Sequence, residues 1–301
     1  MCVMSHYKVF ILCSIALLVS LSGVHLACAG GMDEFLIATE ELVRVKDNPQ
    51  VRIIDAVDSG IYNRAHIPGA INIFYQRLAN LEERKKTGHP LNVKDAERIF
   101  SDAGIDKSTR VIVYDEGDGV FASGVWFVLK FFGHKNVQVL DGGFRKWMAE
   151  GRPATQSAPK IGKSQFIANP QTEMIATKDW VIENRNRSDI VILDTRSVKE
   201  YIGDDIRQGA SRGGHIPGAV HLEWVHITGA VNSFRSQEEL ERIFKDKKIT
   251  KDTVIVTYCH SGIGRSTKLA FALKLLGYEK VLEYTGSWEE WSSDPRLPVE
   301  R

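Results

Sequence analysis

The chain has 301 residues, room for two domains of ordinary size that each bury a core. Charged residues make up 26% and hydrophobic residues 43%, a globular composition. Lys and Arg number 39 against 38 Asp and Glu, with no long run of one sign. That balance argues against a nucleic acid or a membrane surface held by net charge, and leaves small anions bound by local backbone geometry.

At the N-terminus, Lys8 is the only charged residue before Asp33, and Val9 to Leu21 ("VFILCSIALLVSL") is an apolar run too short to span a bilayer with margin. Ala27 and Ala29 in "ACAGG" match a small-x-small cleavage site. Residues 1–29 therefore read as a signal peptide, and the mature chain as secreted, in a periplasm, with no membrane span. Lipid anchoring at Cys28 competes, but His25 stands where its motif expects an aliphatic residue. Cleavage removes Cys2, Cys13 and Cys28, so the mature chain keeps one thiol, Cys259, with no partner for an intramolecular disulfide. A lone thiol is either an inert buried hydrophobe or a working nucleophile, and its surroundings decide.

Further along, the chain repeats itself. "IIDAVDSGIYNRAHIPGAINI" (53–73) returns as "ILDTRSVKEYIGDDIRQGASRGGHIPGAVHL" (192–222), with ten extra residues between the Asp and the shared His-Ile-Pro-Gly-Ala. "VIVYDEGDGVFASGVWFVLKFFGHKNVQVLDGGFRKW" (111–147) returns as "VIVTYCHSGIGRSTKLAFALKLLGYEKVLEYTGSWEEW" (254–291). A spacing of about 145 residues implies two duplicated domains, not a solenoid. Expected strands at 51–54, 111–114 and 137–140, then 190–193, 254–258 and 281–284, alternate with helical stretches, which implies parallel sheets covered on both faces. The clearest helix is 268–276, with Gly277 as its C-cap. The Pro-, Gly- and Ser-rich 153–172 reads as a linker between units at 34–152 and 173–301. His66 and His215 belong to the Pro-Gly turns and read as fold hydrogen bonders, although His66 also has a cleft-facing alternative. Trp288 and Trp291 read as packing for the last helix.

The stretch "TYCHSGIGRS" (257–266) carries the chemistry. In open α/β sheets, ligands sit beyond the carboxyl ends of the strands at the N-termini of the next helices. Cys259 has that place, and unpaired backbone N–H groups there favour an anion and depress a thiol pKa. Gly262 and Gly264 let the backbone curl, and Ser261 and Ile263 complete the cradle with His260, whose charge varies near neutral pH. Arg265 adds a fixed charge that grips an oxyanion or stabilises the loop. In the first copy the matching position is acidic, Asp115 counted from Gly133 and Gly277 or Glu116 counted from the strand. A carboxylate holds no sulfur and repels an anion, so the first unit reads as inactive and as a wall of the cleft.

The paired His-Ile-Pro-Gly-Ala motifs, the strand-Cys-loop-helix, the acidic replacement in the first copy, "LDGGFRKW" and "YTGSWEEW" together resemble the tandem rhodanese family of thiosulfate and 3-mercaptopyruvate sulfurtransferases. The resemblance covers nearly all of 34–301. It implies an α/β fold of two rhodanese-like domains, each a five-stranded parallel sheet flanked by helices, and Cys259 as the residue that becomes a persulfide. It further implies a small anionic sulfur donor, a thiol, cyanide or protein sulfur acceptor, and no metal or organic cofactor. The loop departs from the family pattern: Gly264 stands where Arg or Thr is common, and the Arg comes one residue later. Cys-x5-Arg is the spacing of tyrosine and Cdc25-like phosphatases, so phosphate or arsenate chemistry is one alternative, and a non-enzymatic persulfide carrier is another. Glu200 replaces an Arg of the mercaptopyruvate branch and is expected to pair with Arg196 at i, i+4. Arg207 or Arg212, in the ten-residue insertion, is the candidate replacement charge.

Overall fold

The structure, a computed structural model, describes residues 32–301. The expected signal peptide, with Cys2, Cys13 and Cys28, lies outside the described residues. Among those described, no helix is long and apolar enough to cross a membrane.

The first unit runs β1 (Leu36–Ile37), α1 (Thr39–Val45), β2 (Val51–Asp55), α2 (Ser59–Tyr62), β3 (Ala70–Asn72), α3 (Leu81–Thr87), α4 (Val93–Asp102), β4 (Arg110–Tyr114), α5 (Val120–Phe131), β5 (Val137–Leu140) and α6 (Gly143–Ala149). Its five strands pair in parallel in the order β1-β5-β4-β2-β3. The second unit runs α7 (Lys178–Asn184), β6 (Ile190–Asp194), α8 (Val198–Ile202), β7 (Val220–His221), α9 (Gln237–Asp246), β8 (Val254–Tyr258), α10 (Arg265–Leu275), β9 (Val281–Glu283) and α11 (Ser287–Ser293). Central strands such as β4 are apolar on both faces because helices cover both sides of the sheet.

The second sheet has four strands, β7-β6-β8-β9, and not the five expected. In the first unit β1 pairs with β5 through two residues, Leu36 with Val139 and Ile37 with Leu140. The second unit keeps a single parallel bridge, Ile175 to Glu283. Ala176 N–H still donates to the Glu283 carbonyl at 3.0 Å, but β9 ends at Glu283, so the pairing stops at one bridge and no fifth strand forms.

Strand registers settle which acidic residue matches Cys259. Asp55 lies opposite Tyr114 and Asp194 opposite Tyr258, so Tyr114 corresponds to Tyr258 and Asp115 to Cys259. The two units share a hydrophobic core where α5 packs on α10. Trp126 meets Phe271 edge to face at 4.8 Å, and Ile263, Phe271 and Leu275 join the first unit's buried cluster. Each unit is also closed by its own trailing chain. His66 exchanges both backbone hydrogen bonds with Thr155 (2.9 Å each), and His215 does so with Glu300 (2.8 and 3.0 Å). Both imidazoles stack on a tyrosine, His66 on Tyr62 at 3.8 Å and His215 on Tyr201 at 3.7 Å. His66 is fully buried and faces no cleft. Trp288 and Trp291 are buried in the second unit's core.

Candidate active site

β8 delivers Cys259 to the floor of a cleft of about 580 Å³ at the N-terminal end of α10. Both units wall it. The first contributes Tyr75, Gln76, Asp118, Val120 and Phe121; the second contributes Arg207, Gln208, Trp224 and the loop from Cys259 to Arg265. Tyr75 and Phe121 stack at 4.3 Å into a flat aromatic wall.

The loop is curled as its glycines permit, with φ of +102° at Gly262 and +121° at Gly264. Cys259 is buried, with Sγ 3.5 Å from the Gly262 carbonyl oxygen. Burial alone would raise its pKa, but the Arg265 charge, the Ser266 hydroxyl and the backbone N–H groups of Ser266 and Ser261 outweigh that and hold the thiol below its ordinary value. The Cys259 N–H donates to Ser287 Oγ (3.1 Å), and its carbonyl accepts from Trp288 N–H (3.1 Å), so the β9–α11 turn fixes the backbone of Cys259. Ser266 Oγ also contacts the Gly262 carbonyl (2.5 Å) and the Glu283 carboxyl. Burial pushes the Glu283 carboxyl well up, against the pull of the Ser266 and Thr257 hydroxyls that donate to it.

The remaining loop residues divide their duties. Ser261 lines the cleft while its carbonyl faces away, toward Arg84. Ile263 lines the cleft and is anchored in the first unit's core. Gly264 N–H is engaged by Thr267 Oγ1 at 3.0 Å. His260 Nε2 donates to the Gln208 carbonyl at 2.8 Å, tying the ten-residue insertion to the loop, and burial lowers its pKa, so it is neutral at neutral pH. Arg207 is exposed at the mouth of the cleft. Arg212 is turned the other way, donating to the carbonyls of Ser292, Leu297 and Asp294.

Arg265 is held by Glu200 through two parallel hydrogen bonds of 2.6 and 3.0 Å. The expected Arg196–Glu200 pair is absent: Arg196 binds Asp194 and the Gly214 carbonyl, packed over the Trp288 ring at 4.6 Å. Arg196 precedes Ser197, the N-cap of α8, so it does not share a helix face with Glu200. Burial would raise the Glu200 carboxyl, but Arg265 and Ser197 bring it down to about 2. Sequence reasoning also missed Lys268, buried over the Trp224 ring at 4.7 Å and lowered to about 8 by burial. It missed Tyr75 and Asp118 as well. For Glu200 one local signal existed, the capping box Ser197-x-x-Glu200; for Tyr75, Asp118 and Lys268 only the tertiary fold could reveal the placement.

The arrangement is a thiol of lowered pKa with backbone donors around it, on the floor of a cleft that both units wall. A profile of the rhodanese-like domain matches residues 38–150 and again 177–294. The chain is 34% identical over 280 residues to the sulfur carrier protein TtuD of Thermus thermophilus, covering 88% of this chain and 96% of that one. It is 30% identical over 274 residues to a thiosulfate sulfurtransferase of Azotobacter vinelandii, covering 89% and 100%. Among solved structures, SseA of Escherichia coli, a 3-mercaptopyruvate sulfurtransferase, superposes with a TM-score of 0.73 at 24% identity over 84% of this chain and 98% of that one, a likeness of fold. The chain belongs to the rhodanese-like family, with two copies of the domain in tandem. It is an enzyme of the sulfurtransferase class.

Proposed function

We propose that the protein moves sulfane sulfur from thiosulfate or 3-mercaptopyruvate to a thiophilic acceptor through a persulfide on Cys259. The thiolate attacks the outer sulfur of thiosulfate, the sulfur–sulfur bond breaks, and sulfite departs with the electron pair. With 3-mercaptopyruvate the carbon–sulfur bond breaks instead, and pyruvate leaves after its enolate takes a proton. An acceptor thiolate or cyanide then attacks the outer sulfur of the persulfide and returns the Cys259 thiolate. Backbone donors of the loop stabilise the anionic sulfur between the two steps.

The observation that carries this reading is Cys259 itself, a lowered-pKa thiol on the floor of a two-walled cleft. The names of the curated relatives favour thiosulfate, and the Thermus thermophilus relative favours a protein acceptor. Phosphate chemistry on the Cys-x5-Arg loop needs a guanidinium free to grip the oxyanion, and Arg265 is committed to Glu200. Secretion into a periplasm is part of the proposal and rests on the N-terminal segment and on Cys259 being the lone thiol after cleavage.

Purified mature protein and Cys259→Ser are incubated with each donor, and intact mass is read. A gain of about 32 Da, one sulfur atom, on the wild type only supports the reading and names the donor. No adduct from either donor on a reduced thiol would overturn it and direct the protein to phosphate and arsenate assays.

A further inference from the structure

We infer that Arg84, on α3 of the first unit, is a positioning residue for the Cys259 loop of the second. Its side chain is almost fully buried, at 7% exposure, and crosses between the units. Nη1 donates to the carbonyl of Ser261 in the loop and to that of Thr285 at 3.0 Å in the β9–α11 turn. The same turn holds both backbone groups of Cys259, through Ser287 and Trp288. Thr285 Oγ1 in turn donates to the Gly88 carbonyl at 2.6 Å, so the end of α3 and the turn grip each other. One guanidinium thus sets the spacing between the two segments that carry the nucleophile.

Two consequences follow for the chemistry. In a trans peptide the carbonyl and the next N–H point in opposite directions, so drawing the Ser261 carbonyl to Arg84 turns the Gly262 N–H away from it. The approach is close enough that a Cβ at Gly262 would collide with Arg84 and with the Thr285 carbonyl, which accounts for a glycine there. Secondly, Arg84 forms no ion pair with a carboxylate among the described residues. A buried cation bound only to carbonyls is costly, and the nearby Glu289 carboxylate together with a thiolate or persulfide anion at Cys259 offsets that cost. Arg84 and Cys259 lie close enough for their charges to interact, as do Glu289, Glu290 and Glu283. The unit without a nucleophile therefore supplies a charge and a brace to the unit that has one.

The inference rests on Cys259 being the nucleophile and is tested without reference to the donor. Arg84→Met and Arg84→Lys are compared with wild type by Cys259 alkylation with iodoacetamide across pH, by kcat and KM, and by thermal melting. Arg265, Glu283, Tyr75 and His260 also face the thiol and stay unchanged in all three proteins. Arg84→Met is expected to raise the midpoint of the alkylation profile, to slow alkylation at neutral pH about tenfold, and to cut kcat about tenfold with KM within twofold. Arg84→Lys is expected to keep the midpoint, by keeping the charge, and to lose about threefold in kcat because an ammonium lacks the rigid fork. Lower melting of Arg84→Met with a wild-type alkylation profile and kcat would reduce Arg84 to a weld between the units and overturn the inference. Should Arg84→Met not fold, wild-type kcat in Arg84→Lys would overturn it equally. Failure of the sulfur-transfer reading shows separately, as a shifted alkylation profile in a protein that turns over neither donor.

Discussion

The loops after β4 and β8 begin at equivalent positions and solve opposite problems. In the first, the Asp115 carboxylate turns back into its own loop and accepts four backbone N–H groups, from Gly117 and Gly119 on one oxygen (2.9 and 3.0 Å) and from Phe121 and Ala122 on the other (2.9 and 3.1 Å). The side chain is a tethered carboxyl that fills the cradle, and burial and the nearby Asp118 push its pKa up. In the second, the neutral or anionic sulfur of Cys259 draws on Ser261, Ser266 and Arg265 and leaves the space above open as a cleft. The second loop is also one residue longer, since α5 starts five residues after Asp115 and α10 six after Cys259. The same geometry serves as a self-plugged turn in one unit and a receptive one in the other.

The sharpest way to break that comparison is to exchange the thiol and the carboxyl. Cys259→Ser is expected to lower sulfur transfer to cyanide at least about a thousandfold. Adding Asp115→Cys to that variant is expected to restore nothing, because the first loop is shorter and carries Val120 where the second has Arg265. Thiocyanate formation from the double variant would show the loops to be equivalent.

The next largest effect concerns Glu200, which has no counterpart in the first loop's surroundings. Its folded value of about 2 lies below its ordinary 4.5, so the stability it adds is fully present above 4.5 and is lost as pH falls toward 2. At about 1.4 kcal/mol per unit this is roughly 3 kcal/mol. Glu200→Gln is expected to lower unfolding stability by about 2–3 kcal/mol at pH 7, with the difference from wild type vanishing near the acid end of that window. The same variant releases Arg265, so inhibition by phosphate or sulfate is expected to strengthen; denaturant titration and inhibition assays read the two effects.

Lys268 works with the opposite sign. Burial lowers it from 10.5 to about 8, so its cost to stability is fully present below pH 8 and is relieved as pH rises to 10.5. Lys268→Met is expected to gain about 1–3 kcal/mol at pH 7 and to flatten the rise of wild-type stability over that range. Arg207→Ala, at the rim, is expected to do least: about a fivefold increase in KM for the donor with kcat unchanged, measured by steady-state kinetics.

The parts legible in the sequence are those written in local order. The repeated His-Ile-Pro-Gly-Ala, the strand before Cys259 and the glycines after it sit within a few residues of one another, and the strand-helix rhythm is enough to place the cysteine at a helix N-terminus. The count of strands in the second sheet was not legible, since it turns on whether β9 extends past Glu283. Arg84 and Tyr75 lie more than a hundred residues from Cys259, and no periodicity announces that α3 would point a guanidinium at Ser261. Glu200 shows a different kind of failure: Arg196 offered a nearer partner at helical spacing, but the helix begins only after it.

The aromatic seam between α5 and α10 ties the fates of the two copies together. Trp126, Phe271 and Leu275 belong to one buried cluster drawn from both copies, so deleting the copy that has no thiol would leave the surviving one with a bared oily face. The two copies therefore stand as one cooperative block, since the side chains that cover the first unit's core are also those that cover the helix behind Cys259.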